Sequence, residues 1–229
     1  MMNLWEELNL KMKEYHKINS LYKRDKSKKM KFDEYSVPEF DYLKNNIWGF
    51  TEKINGTNIC VEWTNNQLWF GGKTGLNSSI PAFLINVLIK TFYDKQEVFE
   101  SEFFNDDVLI VCEGYGKGIQ EPDGSKLCPD GQNISIIDIN INGYWLVYDN
   151  CSSIAQNFGI KCVPWIGSGT LEDLHNTVKK GFKSSLGNLI AEGIVAKPIF
   201  DLFNRGGERI ITKLKYLDFP PEERGIVDL

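Results

Sequence analysis

Lys53 is the residue whose neighbours in the sequence best fit a nucleophile. It belongs to residues 52–58, which read Glu-Lys-Ile-Asn-Gly-Thr-Asn and place an Asn-Gly turn signal directly after a strand-like segment. A lysine at such a point projects its amine from the end of a sheet. Lysine amines attack only when neutral, and an ordinary pKa of about 10.4 leaves about one in a thousand neutral at pH 7. On this segment alone, an ordinary turn beside a surface lysine fits equally well.

Two further lysines could supply the positive charge that favours a neutral amine and neutralises phosphates. Lys213 and Lys215 alternate along a strand-like segment, so both point to one face while Leu214 points into the core. This spacing suits two cations that grip adjacent phosphates. Alternating lysines are also common on exposed edge strands.

Two glutamates stand beside glycines at the ends of strand-like segments. Glu113 follows the buried run 108–112 and enters a glycine-rich loop, and Glu192 precedes the strand predicted over 193–197. Carboxylates offer hard oxygen ligands to Mg²⁺, directly or through water, and can hold ribose hydroxyls. Either glutamate taken singly could equally be a solvated residue beside a turn.

Two other stretches match nucleotide-binding loop motifs in part of their sequence. Residues 72–74 read Gly-Lys-Thr, but a P-loop needs a glycine five residues before Gly72, and position 67 is glutamine. Residues 114–118 read Gly-Tyr-Gly-Lys-Gly, but the last glycine of a dinucleotide fingerprint is missing, and Pro122 follows where the helix should begin. Neither loop is expected to hold a nucleotide in that way.

The elements that must position these residues mix helices and strands without regular alternation. Helices are predicted over 3–17, from Ser78 or Ser79 through 92, and from a Thr170–Asp173 cap to just before Gly181. Strands are predicted over 48–70 with turns at 55–56 and 65–66, over 108–112, over 134–139 and 144–148 with a turn at 142–143, over 193–197 and over 209–215. This mixture favours an α+β domain over a doubly wound one.

Composition excludes several classes of protein. The chain has 229 residues, 42% hydrophobic and 25% charged, as in an ordinary globular protein. Its apolar runs are far shorter than a membrane span of about 20 residues, and Glu6, Glu7 and Asn9 exclude a signal peptide, so we expect a cytoplasmic protein with no membrane partner. Five scattered cysteines and two histidines predict buried thiols, with no zinc site, and nothing indicates haem or flavin.

Net charge does not indicate a nucleic-acid partner by itself. The formal charge is −5, so any surface for nucleic acid must be local. One basic run is present, formed by Lys23, Arg24, Lys26, Lys28, Lys29 and Lys31. Such a run, taken alone, is usually a solvated face.

Together these segments resemble the covalent nucleotidyltransferases, which include polynucleotide ligases and RNA-capping enzymes. Residues 53–56 resemble the nucleotide-attachment motif Lys-x-x-Gly, and residues 72–75 stand where ligases carry Arg-Thr-Gly. Three later segments resemble the third, fourth and fifth motifs in order: 112–116, 192–198 and 213–215. The stretches Glu-Lys-x-x-Gly-Thr-Asn and Glu-Gly-Ile-Val are most similar to the phage RNA-ligase-2 type and the mitochondrial editing ligases. Residues 15–25 resemble the N-termini of small phage-encoded RNA ligases.

The resemblance implies a fold and a set of roles. The fold would be an α+β nucleotidyltransferase domain, ATP-grasp-like, with mixed antiparallel sheets flanked by helices. Lys53, Lys213 and Lys215 would be catalytic, with Glu113 directed to the ribose and Glu192 to Mg²⁺ or Mn²⁺, partly through water. The ATP-binding residues would be Glu52, Lys53, Asn58, Lys73, Glu113, Ile137, Glu192, Lys197, Lys213 and Lys215. Glu52 should face away from Lys53 or bind metal-bound water.

Three positions depart from the family pattern. Lys73 replaces an arginine and loses its planar, two-pronged grip on phosphate, and Lys197 also stands where relatives often carry arginine. Ile137 occupies the place of an aromatic residue that stacks on adenine. These changes put substrate affinity in doubt more than the class of reaction.

The resemblance implies an ATP-dependent RNA ligase acting in three steps on 5′-phosphorylated and 3′-hydroxyl polynucleotide ends. ATP would give AMP to Lys53, the AMP would pass to a 5′-phosphate, and a 3′-hydroxyl would displace it. The alternatives are a nick-sealing DNA ligase, a capping guanylyltransferase and a non-catalytic nucleic-acid-binding module. If the protein is phage-encoded, its location would be the host cytoplasm.

Because 14 residues follow Lys215 in this sequence, we expect no OB-type domain of the kind that DNA ligases and capping enzymes carry. We therefore expect one nucleotidyltransferase domain over 1–229, or a catalytic subunit without its accessory part, with a helical and basic extension at about 1–36. The basic segment that contains Arg24, together with Arg205 and Arg209, is expected to contact phosphate backbones.

Overall fold

The computed structural model describes residues 15–72 and 80–229, which form thirteen strands and six α-helices. The strands are β1 Asn19–Ser20, β2 Tyr22–Arg24, β3 Met30–Tyr35, β4 Trp48–Glu52, β5 Thr57–Thr64, β6 Gln67–Gly72, β7 Val108–Gly116, β8 Gln132–Ile141, β9 Tyr144–Trp145, β10 Lys161–Cys162, β11 Trp165–Gly169, β12 Gly193–Pro198 and β13 Thr212–Lys215. The helices are α1 Pro38–Tyr42, α2 Ala82–Thr91, α3 Gln96–Glu102, α4 Asp123–Leu127, α5 Tyr148–Asn157 and α6 Leu171–Lys180. The mixed α+β class is therefore as predicted.

The chain divides into two compact units, each assembled from separate stretches. The first unit comprises Thr57–Gly114 and Gln132–Cys162 together with Tyr15, as far as these are described. The second unit comprises His16–Gly56, Tyr115–Gly131 and Val163–Leu229. The single domain over 1–229 stays a prediction. The helix predicted over 3–17 falls almost entirely outside the described residues.

A five-stranded sheet in the order β1-β13-β12-β4-β11 organises the second unit. Its pairs are antiparallel except for β1 with β13, which is parallel. α6 contributes Leu171, Leu174 and Val178 to the core, because this spacing places the three side chains on one helical face. The predicted cap is present, since Thr170 Oγ1 accepts from the Asp173 amide at 3.2 Å and Asp173 Oδ2 accepts from the Thr170 amide at 2.8 Å.

From His16 onward, the segment predicted as an extension is part of the second unit. β2 and β3 form a hairpin, and β1 pairs with β13. Leu21 is fully buried and Tyr22 nearly so, whereas Lys23 and Arg24 are exposed. The basic composition of this segment did not indicate that it packs into the core, because only its few apolar residues are buried there.

The first unit contains a six-stranded sheet in the order β10-β8-β7-β5-β6, with β9 paired to β8. Its core holds an aromatic cluster to which strand and helices both contribute. Trp63 stacks on Phe99 with ring centroids 5.4 Å apart, and Phe158 lies 4.8 Å from Phe99 and 5.0 Å from Phe92. Among the helices of the described residues, none has the length and hydrophobicity that crossing a bilayer requires.

Three local predictions are corrected. Asn55-Gly56 does not close a hairpin, because β4 pairs with β11 and β12 while β5 pairs with β6 and β7. Glu113 lies within β7 and not in a loop, because pairing with Asn58 continues the ladder past residue 112. The strand predicted over 144–148 ends at Trp145, and Tyr148 begins α5, whose residues are mostly polar.

The other two predicted turns are present. Asn65 and Asn66 have φ of 51° and 56°, and Asn142 and Gly143 have φ of 51° and 90°, which are values typical of tight hairpin turns. α2 begins directly after Pro81 and ends at Thr91, one residue before the predicted end. The last strand begins at Thr212 and not at residue 209, because the backbone of Arg209 pairs with Phe203 in a separate bridge.

His175 on α6 is held in an aromatic setting within the second unit. Its ring makes edge contacts with Tyr22, Phe32 and Phe219, and the Tyr22 hydroxyl lies 3.1 Å from Nδ1. Burial first, and then the charge of Lys179, lowers the pKa of His175 below its ordinary value of 6.5. The native state therefore favours the neutral ring.

This lowered pKa predicts that the protein loses stability in mild acid. The unfolded chain takes up a proton at His175 near pH 6.5, before the native protein does, so the free energy of unfolding should fall as the pH drops below about 6.5. His175→Phe keeps an aromatic ring but cannot bind a proton, so it should flatten this decline. Urea unfolding at several pH values from about 5 to 8 measures the slope. An unchanged slope in the variant would contradict the assignment.

Candidate active site

Lys53 is the first residue after β4, a strand whose five residues are all buried. Its amide donates to the Gly193 carbonyl at 2.9 Å, so the backbone is fixed against the start of β12. Its side chain is 21% exposed. The amine is therefore held by ordered structure while solvent can still reach it.

Glu192 joins Lys53 to Lys215. Glu192 Oε2 lies 2.6 Å from Lys53 Nζ, and Oε1 lies 2.6 Å from Lys215 Nζ. The carboxylate is only 14% exposed, and its attraction to the two ammonium groups is screened less than on an open surface. One carboxylate thus lies between two ammonium groups, and the three groups together carry a net charge of +1.

The backbone around Glu192 explains how the three side chains meet. The Tyr216 amide donates to the Glu192 carbonyl at 2.9 Å, and Gly193 pairs directly with Lys215. A Cβ at position 193 would lie 2.1 Å from the Leu214 carbonyl oxygen, so only glycine allows β12 and β13 to approach this closely. The glycine after Glu192 is therefore needed to bring Lys215 within reach.

The lysines of β12 and β13 share one face of the sheet. Thr212 and Leu214 are fully buried, so Lys213 and Lys215 point the other way, as their alternation predicts. Lys213 pairs with Val195, and directly opposite residues share a face. Lys197 lies on the same face as Val195, two residues further along β12.

Glu52 points to the opposite face of the sheet. It pairs with Ile194 and is 2% exposed, so its carboxylate lies on the core side and faces away from Lys53 as expected. Glu52 Oε1 accepts from Ser184 Oγ at 2.5 Å, and Oε2 accepts from the Ser185 amide at 3.0 Å. These contacts fix the end of β4 directly before Lys53. The sequence around Ser184 carries no pattern that would have shown this role.

Two more contacts that sequence reasoning missed hold the segment after Lys53. Asn55 Nδ2 donates to Asp123 Oδ2 at 3.2 Å, and Gln120 Nε2 donates to the Gly56 carbonyl at 3.5 Å. Trp165 adds an aromatic ring to the lysine face, because a Cβ at Gly49 would lie 2.4 Å from the indole. Each contact joins residues distant in sequence, so no local signal could have revealed it.

Three other predicted ATP-binding residues belong to the first unit. Asn58 and Glu113 are partners in the β5–β7 ladder, and Asn58 Nδ2 donates to the Cys112 carbonyl at 3.5 Å. Ile137 is half-buried in β8, beside the buried Asp138, which accepts from the Tyr15 hydroxyl at 2.7 Å. Lys73 lies outside the described residues.

The three arginines predicted to contact nucleic acid differ in how far their side chains are exposed to solvent. The Arg209 side chain is 3% exposed and its Nη2 lies 2.7 Å from Asp201 Oδ1, which argues against a phosphate contact. Arg24 Nη2 lies 2.5 Å from Asp218 Oδ1, with its side chain 40% exposed. Arg205 is exposed.

The two glutamates predicted as metal ligands do not belong to a larger cluster of metal-binding side chains among the described residues. Within residues 15–72 and 80–229, no cluster of three or more His, Cys, Asp or Glu could hold a metal ion. Mg²⁺ does not require such a cluster, because it commonly binds one or two carboxylates together with phosphates and water. The Glu192 carboxylate already pairs with two cationic side chains, so it suits the role of one protein ligand in such a site.

The sequence model of the RNA ligase family matches residues 46–215, most of the chain. The chain belongs to the RNA ligase family. The match begins just before β4 and ends at Lys215, so it contains Lys53 and Glu192 as well. No curated protein sequence matches the whole chain or a part of it.

Solved RNA ligases share the fold. A Naegleria gruberi RNA ligase variant with ATP and Mn is 18% identical with a TM-score of 0.60, and the match covers 78% of this chain and 52% of that one. The Naegleria gruberi ligase with PPi is 19% identical with a TM-score of 0.58, covering 78% and 52%. Another variant with ATP and Mn is 17% identical with a TM-score of 0.59, covering 90% and 58%. The chain spans little more than half the length of these relatives.

The Glu52 contacts predict that substitutions of two neighbouring serines will lower the free energy of unfolding by different amounts. Ser184→Ala removes a hydroxyl donor from a buried carboxylate and should lower the free energy of unfolding by about 1–3 kcal/mol. Ser185→Ala is the matched control, because Ser185 donates through its backbone amide, and it should change stability by less than about 0.5 kcal/mol. Urea unfolding measures both. Equal losses in the two variants would contradict the assignment.

Proposed function

We propose that this chain is an ATP-dependent RNA ligase that works through a covalent lysyl-AMP at Lys53. The observation that carries the proposal is the position of the Glu192 carboxylate, 2.6 Å from the amines of both Lys53 and Lys215. The arrangement combines a nucleophile, a proton acceptor and a second cation. These are the groups that transfer of a nucleotidyl group to an amine requires. Family membership supports the same reaction class.

In the first step, the Lys53 amine would attack the α-phosphorus of ATP. Its ammonium proton must leave first, and Glu192 Oε2 is an acceptor at hydrogen-bond distance. A nitrogen–phosphorus bond forms, the bond from the α-phosphorus to the bridging oxygen breaks, and pyrophosphate departs. Lys215 and Lys213, on the same sheet face, would offset the charge on the phosphates.

The next two steps transfer the AMP and seal the strand. An oxygen of a polynucleotide 5′-phosphate attacks the α-phosphorus, the bond to Lys53 breaks, and the amine regains a proton. A 3′-hydroxyl then gives up its proton to solvent and attacks the 5′-phosphorus, and AMP leaves with the electrons of its bond. The net change is one phosphodiester formed while ATP becomes AMP and pyrophosphate.

A divalent cation, Mg²⁺ with Mn²⁺ able to replace it, is proposed as the metal of this site. Glu192 would contribute to holding it, partly through water, and Glu113 is proposed as a further ligand or as a partner of the ribose. The metal supplies charge neutralisation at the triphosphate. The remaining ATP-binding proposals are Asn58, Lys73, Ile137 and Lys197, whereas the buried Glu52, bonded to Ser184 and Ser185 on the core side, is corrected to a residue that positions Lys53.

The proposal predicts that AMP becomes attached to the protein through Lys53 alone. Wild-type protein incubated with α-labelled ATP and Mg²⁺ should acquire label that survives denaturation. Lys53→Ala and Lys53→Arg should retain less than about 1% of it, because neither offers an amine that can attack. Lys44→Ala is the matched control, since Lys44 is an exposed lysine paired with Asp41, and it should label normally.

The same experiment separates the competing functions. Labelling by GTP and not ATP would indicate a capping-type enzyme, and absence of any label on the wild type would indicate a non-catalytic module. A chase with 5′-phosphorylated RNA should remove label from the protein and extend the RNA. A chase that succeeds only with nicked DNA would overturn the RNA assignment.

A further inference from the structure

The segment that joins β12 to β13 exposes large apolar side chains at the surface of the second unit. Within residues 199–211, here called the aromatic hairpin, Phe200 is 73% exposed, Phe203 is 52% exposed and Ile199 is 48% exposed. Exposing two phenylalanines so close together is unfavourable unless something covers them. The hairpin is therefore a candidate binding surface.

The aromatic hairpin is held in one conformation by its own hydrogen bonds. The Asn204 amide donates to the Glu208 carbonyl at 2.9 Å, and Ile210 donates to Leu202 at 2.8 Å. Asn204 Oδ1 accepts from the amides of Gly206 and Glu208, each at 2.9 Å. The two phenylalanines are thus displayed by ordered backbone, which lowers the entropy cost of binding to them.

The four charged side chains of the hairpin cancel one another, so the case for an anionic partner rests on the exposed Arg205 and on the lysine face of the adjoining strands. Asp201 is paired with the buried guanidinium of Arg209, and the Glu208 carboxylate accepts from Asn204 Nδ2 at 2.8 Å. Both acidic groups are therefore engaged within the hairpin, while Arg205 is exposed near its tip. Aromatic rings beside an exposed arginine are the combination that binds single-stranded nucleic acid, through base stacking and phosphate contacts.

The hairpin continues the two strands that carry the candidate active site. Gly193 and Lys215 form one end of the β12–β13 ladder, and Lys213 and Lys197 lie further along the same face. From Gly193 to Phe200 the chain advances seven residues, or at most about 23 Å at strand spacing. Stacked nucleotides advance about 3.4 Å each, so about seven of them would cover this distance.

We propose that the aromatic hairpin binds a single-stranded segment of the polynucleotide about seven nucleotides from the reacting end. The inference rests on the proposed function for its substrate, because it takes the strand to run from Lys53 along the lysine face. Phe200 and Phe203 stack on bases, and Arg205 contacts a phosphate. Stacking on aromatic rings depends little on base identity, so the contact adds affinity without sequence preference.

The test compares RNA lengths with leucine variants. Phe200→Leu and Phe203→Leu keep an apolar side chain but remove the ring, and each should weaken binding of a single-stranded RNA of about 12 nucleotides about tenfold. Binding of an RNA of about 4 nucleotides, which cannot reach the hairpin, should not change. Arg205→Ala should lower the salt dependence of 12-nucleotide binding by about one phosphate contact. Fluorescence anisotropy with end-labelled RNA measures each value.

Matched controls make the outcome specific. Tyr144→Leu removes an aromatic side chain that is 78% exposed on another hairpin, and it should leave RNA binding unchanged. Unchanged binding of the long RNA in both Phe variants would overturn the proposal, as would equal losses for long and short RNA. If the protein self-associates in sedimentation experiments and Phe200→Asp makes it monomeric without affecting RNA binding, the surface joins copies of the chain and the proposal is wrong.

The labelling and binding measurements distinguish failure of the hairpin proposal from failure of the proposed function. The Phe variants should acquire label from ATP as well as wild type does, because the hairpin lies away from Lys53. Wild-type protein that binds long RNA through the phenylalanines but acquires no label would refute the lysyl-AMP mechanism and leave the surface intact. Normal labelling with no effect of the variants on RNA binding would refute only the surface.

Discussion

The Glu192 carboxylate lies between the ammonium groups of Lys53 and Lys215 and is mostly withdrawn from solvent. Without that carboxylate, the two lysines would repel each other across a narrow space. With it, the cluster remains positive overall and presents an amine beside a proton acceptor. Other parts of the second unit serve this contact, including the close approach at Gly193 and the bonds that fix Glu52 behind Lys53.

The residues that we propose for chemical roles could be selected from the sequence because each lies in a short pattern of residues that suits such a role. These local patterns are a lysine two residues before an Asn-Gly pair, a glutamate before Gly193 and alternating lysines around Leu214. The structure brings Lys53, Glu192 and Lys215 together, although 139 positions separate the first two. The capped start of α6 and the turns at 65–66 and 142–143 were predictable for the same reason, since each is decided within a few residues.

Other features could not be predicted because they depend on partners distant in sequence. Asn55-Gly56 has the composition of a hairpin turn, yet the strands on either side pair with different neighbours. The Ser184 contact to Glu52 and the burial of Leu21 within a basic segment are equally invisible to local patterns. Arg209 illustrates the same limit, because an arginine chosen as a surface residue is buried against Asp201.

Both units are assembled from stretches that alternate along the chain, and this has a consequence for synthesis on the ribosome. β4 is made more than a hundred residues before its neighbour β12 and the lysine-bearing β13. Contacts of such long range form slowly and late in folding. A nascent or prematurely terminated chain that lacks β13 has no Lys215 to complete the cluster, so the amine of Lys53 gains its setting only after β13 has emerged.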